Sequence, residues 1–278
     1  MADHLCPMCR GRELQHKFTY DAPSPGEIVF DFMRGVPYRR ELKSCRWCRH
    51  VVEWIEQDQS ALYSGGDYVT ATYGDKEGLK RAFDKIVALP PEKSDNTGRV
   101  RYVLEFMRRR LASSQGNTMQ PKILDVGSGL GVFLHAMKKA GWRCRAVDMD
   151  QRQVDHLNQV VGVHAILGDA VLAQGLGQFN LVSFNKVLEH VANPVELLSG
   201  VACLLETDGV VYVELPDAEG AEKEGFHREE FFLGHIHVFS FASFSHLAMR
   251  AGYRMISLER LREPSGKYTL RGFMAISA

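Results

Sequence analysis

Four of the six cysteines stand in two pairs, Cys6-Pro-Met-Cys9 and Cys45-Arg-Trp-Cys48, with 35 residues between the pairs. A C-x-x-C turn brings two thiolates to one ion, and two such turns complete a tetrahedral shell of four sulfurs, which suits zinc. Four thiolates leave no open position for water or substrate, so the predicted role is structural. The opening residues Met1-Ala2-Asp3-His4 do not read as a secretory segment, which argues against disulfides and predicts a soluble, cytoplasmic protein. A thioredoxin-like redox pair would open a helix after a strand, whereas these two bracket a polar hairpin. His4, His16 and His50 read as solvated bystanders, and Cys144 and Cys203 as small core residues.

The second concentration of chemistry is Ile123-Leu-Asp-Val-Gly-Ser-Gly-Leu-Gly131, an apolar strand that breaks into three glycines before a helix predicted over 132–140. Glycine lets the backbone approach a ligand with no β-carbon in the way. A dinucleotide fingerprint would read G-x-G-x-x-G; here the third glycine comes one residue early and the pattern is G-x-G-x-G. A strand over 144–147 ends in Asp148, where a carboxylate can accept two hydrogen bonds from ribose hydroxyls. A third strand, 163–167, leads to Asp169-Ala170, and a fourth, 179–184, runs into Asn185-Lys-Val-Leu-Glu-His190-Val.

Positioning those groups takes strands and helices in alternation, which implies right-handed crossovers, a mostly parallel sheet and ligands at the carboxyl ends of its strands. A helix over 195–206, a strand over 209–215 and a helix over 244–251 continue the pattern. Strands over 253–261 and 268–277, joined by Glu263-Pro-Ser-Gly266, then form a closing antiparallel hairpin. Ahead of the glycine loop, 51–120 is mostly helical with ten acidic and ten basic side chains. One helix, 79–89, stops at Pro90-Pro91, and Ser94 or Asp95 caps another over 100–111, whose Arg108-Arg109-Arg110 end is a solvated run. A polar linker follows over 113–120. Tyr68 and Tyr73, flanked by Gly65-Gly66 and Gly74, read as a lid or as ordinary linker aromatics. The cysteine module carries strand-like pieces at 14–20, 28–32 and 38–44; with so small a core, zinc ligation would add on the order of 10 kcal/mol of folding energy.

The 278 residues, 45% apolar and 24% charged, exclude collagen-like, low-complexity and wholly disordered chains. Lys+Arg and Asp+Glu number 34 each, so the basic surplus of a nucleic-acid binder is missing, although residues 1–50 hold nine basic against six acidic side chains. The uncharged stretch 231–249 is long enough to span a bilayer, but three histidines and three serines make it a buried strand end and helix instead. The predicted division is 1–52, a zinc ribbon; 53–118, a helical linker and cofactor cap; and 119–278, the α/β domain.

From about Asp95 onward the sequence resembles the class I S-adenosylmethionine (SAM) dependent methyltransferases. Asp125, Gly127, Ser128, Gly129 and Gly131 look like their first motif, whose backbone lies against the methionine part of SAM. Asp148, followed by Met149, matches the ribose-binding acid, and Asp169 with Ala170 the adenine-contacting turn. Leu188-Glu189-His190-Val191, then Asn193-Pro194, looks like the L-E-H-V-x-x-P segment of small-molecule members, with Asn185 ahead of it as a further cofactor contact. Asp95-Asn96-Thr-Gly-Arg99 is similar to a pre-motif of some quinone O-methyltransferases, in which the arginine holds the SAM carboxylate. The resemblance implies a Rossmann-like, seven-stranded methyltransferase sheet with a terminal antiparallel hairpin, which a dinucleotide dehydrogenase would not be expected to have.

Methyl transfer is an in-line displacement, and a histidine is the usual acceptor of the proton the nucleophile loses. His190, His227, His235 and His237 fall near the expected rim. The segment Gly234-His235-Ile-His237-Val-Phe239-Ser240 resembles the E-H-x-x-Y-F-S run of zinc-bearing sugar C-methyltransferases, which places His235 on the base; Gly234 and Val238 replace the glutamate and tyrosine. His235 is therefore the first candidate base, with His237 and His190 behind it, and packing or binding the carboxyl end of SAM is its alternative role. Three functional readings follow. The chain methylates a small polar metabolite such as a nucleotide-linked sugar, with the zinc module in the acceptor wall. Alternatively the ribbon recruits RNA or protein through Arg46 and Trp47, where Trp47 either stacks on a base or packs in the core. Or the protein binds SAM without turnover.

Overall fold

The computed structural model describes residues 5–28, 38–54, 72–113, 120–171 and 175–277. The apolar runs β4 (Lys122–Val126), β5 (Arg143–Asp148), β6 (His164–Leu167), β7 (Phe179–Asn185) and β8 (Leu205–Pro216) become parallel strands. The hairpin β10 (Tyr253–Arg262) and β11 (Tyr268–Ile276) joins antiparallel to β8, giving the seven-stranded order β10-β11-β8-β7-β4-β5-β6. The expected terminal hairpin is thus present.

Helices cover both faces: α1 (Lys76–Val87), α2 (Asp95–Ser113), α3 (Val132–Lys139), α4 (Gln151–His156), α5 (Pro194–Gly200), the single turn α6 (Ala218–Ala221) and α7 (Phe241–Arg250). One buried cluster centres on Leu124, Val182, Val211 and Phe244 and the other on Ile123, Leu181, Tyr212 and Phe273, so alternate strand residues fill opposite faces. Of the two expected caps for α2, Ser94 acts: its Oγ accepts from the Thr97 amide at 3.2 Å. The helix expected over 195–206 is shorter, since α5 passes through Gly200, a poor helix former, into a 3₁₀ turn (Val201–Leu204), and β8 begins at Leu205.

A second sheet has the order β1-β2-β3-β9, from β1 (Leu14–Tyr20), β2 (Arg40–Cys45), β3 (Val51–Trp54) and the two-residue β9 (His237–Val238). Its last strand comes from the carboxyl-terminal half, pairing Val51 with Val238. The same seam buries Arg40, which donates to Glu53 at 2.8 Å and to the Phe231 carbonyl at 2.7 Å. The strand expected over 28–32 falls from 29 onward outside the described residues, as do Tyr68, Gly65, Gly66 and most of the 113–120 linker. Tyr73 packs beside Leu79 and Leu130.

Two side chains, His50 and Cys203, differ from expectation, and Trp47 takes one of its two expected placements. His50 is fully buried rather than solvated, because it crosses the seam to lie 3.1 Å from His237 Nδ1. Trp47 is 68% exposed, so of its two expected placements it does not pack in the core. Cys203 is exposed at the 3₁₀ turn rather than in the core.

Candidate cofactor, acceptor and metal sites

The two cysteine turns converge: Cys6 and Cys48 lie 3.5 Å apart between sulfurs, Cys9 and Cys45 likewise, and all four sulfurs fall within 4.8 Å of one another. A disulfide needs about 2.05 Å between sulfurs, whereas tetrahedral zinc with bonds of about 2.3 Å separates them by about 3.8 Å. The donor set and spacing fit zinc. The turns are also fixed to the α/β domain, since Ser240 Oγ donates to the Cys48 carbonyl at 2.5 Å and Arg250 to the Met8 carbonyl at 3.1 Å.

At the carboxyl ends of β4 and β5 a cavity of about 530 Å³ is lined by Gly127, Asp148, Met149, Asp169 and Ala170, with Val187, Val191 and Glu196 opposite. Asp148 is oriented by backbone: its Oδ2 accepts from Gly129 N–H at 3.0 Å and its Oδ1 from Asp150 N–H at 3.1 Å. With its amide nitrogen turned toward Asp148, Gln153 donates to both oxygens at 2.8 and 2.9 Å. Burial raises the Asp148 pKa, and these backbone donors offset part of that rise. Met149, 63% exposed, lines the cavity beside this carboxylate.

Other expected cofactor residues shape the loop from behind. Asp125 is buried and accepts from Ser183 Oγ at 2.6 Å and Asn185 Nδ2 at 2.8 Å, tying β4 to β7; burial pushes its pKa up to about 6. Ser128 Oγ donates to the Asp125 carbonyl at 2.8 Å. Gly131 holds φ +69° at the start of α3, where a β-carbon would stand 2.5 Å from Leu157. Arg99 faces Glu214, donating from Nε at 2.8 Å and Nη2 at 2.5 Å, with the Tyr212 hydroxyl on the other carboxylate oxygen. That ion pair braces α2 against β8.

A second cavity, of about 330 Å³, adjoins the same turn of chain. Val187 and Val191 line the first cavity, while Lys186, Glu189 and His190 line the second, so the 3₁₀ turn Leu188–His190 stands between them. His235, Glu230, Lys267 and Tyr268 complete its inner wall, and Gly26, Glu27 and Ile28 of the cysteine module close it. The structure brings His190 and His235 together with ring centroids 4.9 Å apart. Burial lowers both, His190 to about 4 and His235, with His190 beside it, to about 3. His237 is not among the lining residues; it sits in β9 against His50. His227 bonds Ser24 Oγ at 3.1 Å instead.

A family profile described as a methyltransferase domain matches residues 77–258. The chain belongs to the methyltransferase-domain family. Within it, the chain is 31% identical over 98 residues to a ubiquinone biosynthesis O-methyltransferase of Caulobacter vibrioides, covering 33% of this chain and 39% of that one. It is 30% identical over 124 residues to the protein of that name from another Caulobacter strain, K31, covering 40% and 49%. The chain therefore spans less than half the length of these relatives. Among solved structures, a 1,6-didemethyltoxoflavin-N1-methyltransferase of Burkholderia thailandensis superposes with a TM-score of 0.55 at 14% identity, over 83% of this chain and 96% of that one. A glycopeptide N-methyltransferase superposes with 0.51 over 66% and 90%. The fold is that of the class I SAM-dependent methyltransferases.

Among the described residues, one contributor that sequence reasoning did not single out is Glu189. It is buried, one carboxylate oxygen has no hydrogen-bond partner, and burial raises its pKa to about 8. The signal lay in the Leu188-Glu189-His190 string, whose acid was read as motif rather than as chemistry.

Proposed function

We propose that this protein transfers the methyl group of SAM to an oxygen of a small polar metabolite. The observation that carries this reading is the pair of cavities on either side of residues 186–191, one with the ribose-type carboxylate Asp148 and the other with two imidazoles. SAM would occupy the first, with Asp148 accepting from its ribose hydroxyls, Met149, Asp169 and Ala170 at its adenine, and the 127–131 backbone along its methionine portion. Oxygen as the acceptor atom is supported by the relatives named ubiquinone biosynthesis O-methyltransferase. A cavity of about 330 Å³ takes a single ring, so the nucleotide of a nucleotide-linked sugar would extend beyond it. The four cysteines hold a structural zinc, and a four-thiolate site of this kind suits a cytoplasmic location.

Displacement requires the acceptor oxygen in line with the S–CH3 bond, and the turn between the cavities is the element that sets that alignment. The imidazoles meet the acceptor's hydroxyl, His235 being the first candidate for its proton and His190 the second. Arg46 and Arg49, beside exposed Trp47, pair with Glu13 at 2.9 Å and Glu222 at 3.5 Å, which neutralises the local basic excess and supports a metabolite over RNA. The test is turnover on a metabolite panel: His235→Gln is expected to cut kcat about a hundredfold with SAM affinity nearly intact. Undiminished turnover in that variant would remove His235 from the mechanism.

A further inference from the structure

Among the described residues, the charged side chains lining the acceptor cavity are matched with one exception. Glu229 meets Lys267 at 3.1 Å, and Glu230 meets Arg228 at 2.9 Å. Glu27 accepts from the Ser24 amide at 2.7 Å and the Tyr38 hydroxyl at 3.1 Å, and lies 3.4 Å from Arg40, which it shares with Glu53. Glu189, raised to about 8 by burial, holds its proton at neutral pH and carries no charge there. Lys186 is the exception. It lines the same cavity, and among the described residues its ammonium makes no hydrogen bond or ion pair. Glu214, the carboxylate that attracts it most, is already held by Arg99 and the Tyr212 hydroxyl.

The backbone fixes the lysine in that position. Lys186 follows β7 directly and has φ +58°, in the left-handed region that a residue with a side chain enters only at a cost. Its amide donates to the Glu214 carbonyl at 3.1 Å, so the strained residue is tied to β8. Burial lowers the Lys186 pKa, the mark of an ammonium short of water and of partners. An opposite charge brought to such a group is worth more than it would be in bulk water.

We infer that Lys186 selects an acceptor bearing one carboxylate on the ring whose hydroxyl is methylated. This inference rests on the methyl-transfer reading and narrows its acceptor to a hydroxylated ring acid. The cavity, of about 330 Å³, takes one ring. One unmatched ammonium complements the single charge of a carboxylate, whereas a phosphate monoester carries about two. His235 lines the same cavity, so the hydroxyl has an imidazole as partner while the carboxylate has the ammonium. The carboxylate takes no part in bond making. It fixes the orientation of the ring, and with it the line from the hydroxyl oxygen to the methyl carbon.

The test uses two probes of the same shape, 3,4-dihydroxybenzoate and the neutral 3,4-dihydroxybenzamide, on the full-length protein carrying zinc at its cysteines and saturated with S-adenosylhomocysteine. Titration calorimetry is run on the unmodified protein, on Lys186→Met and on Lys186→Arg, with S-adenosylhomocysteine affinity and circular dichroism followed in the same samples. The unmodified protein is expected to bind the carboxylate at least about tenfold more tightly than the carboxamide. Lys186→Met should weaken the carboxylate about ten- to a hundredfold and the carboxamide by less than about twofold, and Lys186→Arg should restore most of the preference. Equal binding of the two probes by the unmodified protein, no saturable binding of the carboxylate, or a preference that survives in Lys186→Met would overturn the role of Lys186 while leaving methyl transfer standing. Failure of every sample to bind S-adenosylhomocysteine would instead overturn the methyltransferase reading.

Discussion

Asp125 stands outside both cavities, yet burial moves its carboxyl well away from its ordinary state. Its folded pKa of about 6 lies above the reference 3.8, so between about pH 4 and 6 the folded state holds a proton that the unfolded state has released. Its contribution to stability is therefore present at the acid end and declines as pH rises through that window, by about 3 kcal/mol at most. Asp125→Asn keeps an oxygen for Ser183 and Asn185 and removes the titration. Urea denaturation at pH 4.5 and 6.5 should show the variant gaining on the parent protein at the higher value; a constant difference would refute the linkage. At this scale the sequence was informative where spacing alone brings groups together, as with Asp148 beside the glycine loop or the four cysteines. It was uninformative where a partner far along the chain decides. His237 is drawn away from the acceptor cavity by His50, 187 residues earlier, and no local pattern announces that pairing.

The decisive element is the bend from β4 into α3. Gly129 and Gly131 both have positive φ, at +54° and +69°, but their surroundings differ: nothing lies within 4 Å of a β-carbon at Gly129, whereas Leu157 stands 2.5 Å from one at Gly131. Gly129→Ala should cost only backbone strain, about 1 kcal/mol, while Gly131→Ala adds a clash with α4's continuation and should cost about 2–3 kcal/mol or more. Thermal unfolding of the two variants checks the order, and equal losses would contradict it. Periodicity and glycine placement made the strands and this bend legible, including the antiparallel hairpin. What it could not supply was the pairing of β3 with β9, because a two-residue strand has no period to read and its register follows from tertiary packing.

For the whole molecule, the cysteine module is wall as well as staple. Gly26, Glu27 and Ile28 close the acceptor cavity, and Ser240 and Arg250 tie the cysteine turns to α7. Stripping zinc with a thiolate-competing chelator should therefore raise KM for the acceptor about tenfold or more, as the wall loses its anchor, and leave SAM affinity within about twofold. Unaltered acceptor kinetics in metal-free protein would reduce the module to a passive appendage. The central claim, however, is that the bend at 127–131 and Asp148 hold SAM. Titration calorimetry of S-adenosylhomocysteine into the protein and into Asp148→Ala tests it most directly. One site is predicted, weakened about ten- to a hundredfold by the substitution, the worth of hydrogen bonds to a charged group. No heat of binding, or equal affinity in the two proteins, would contradict the account.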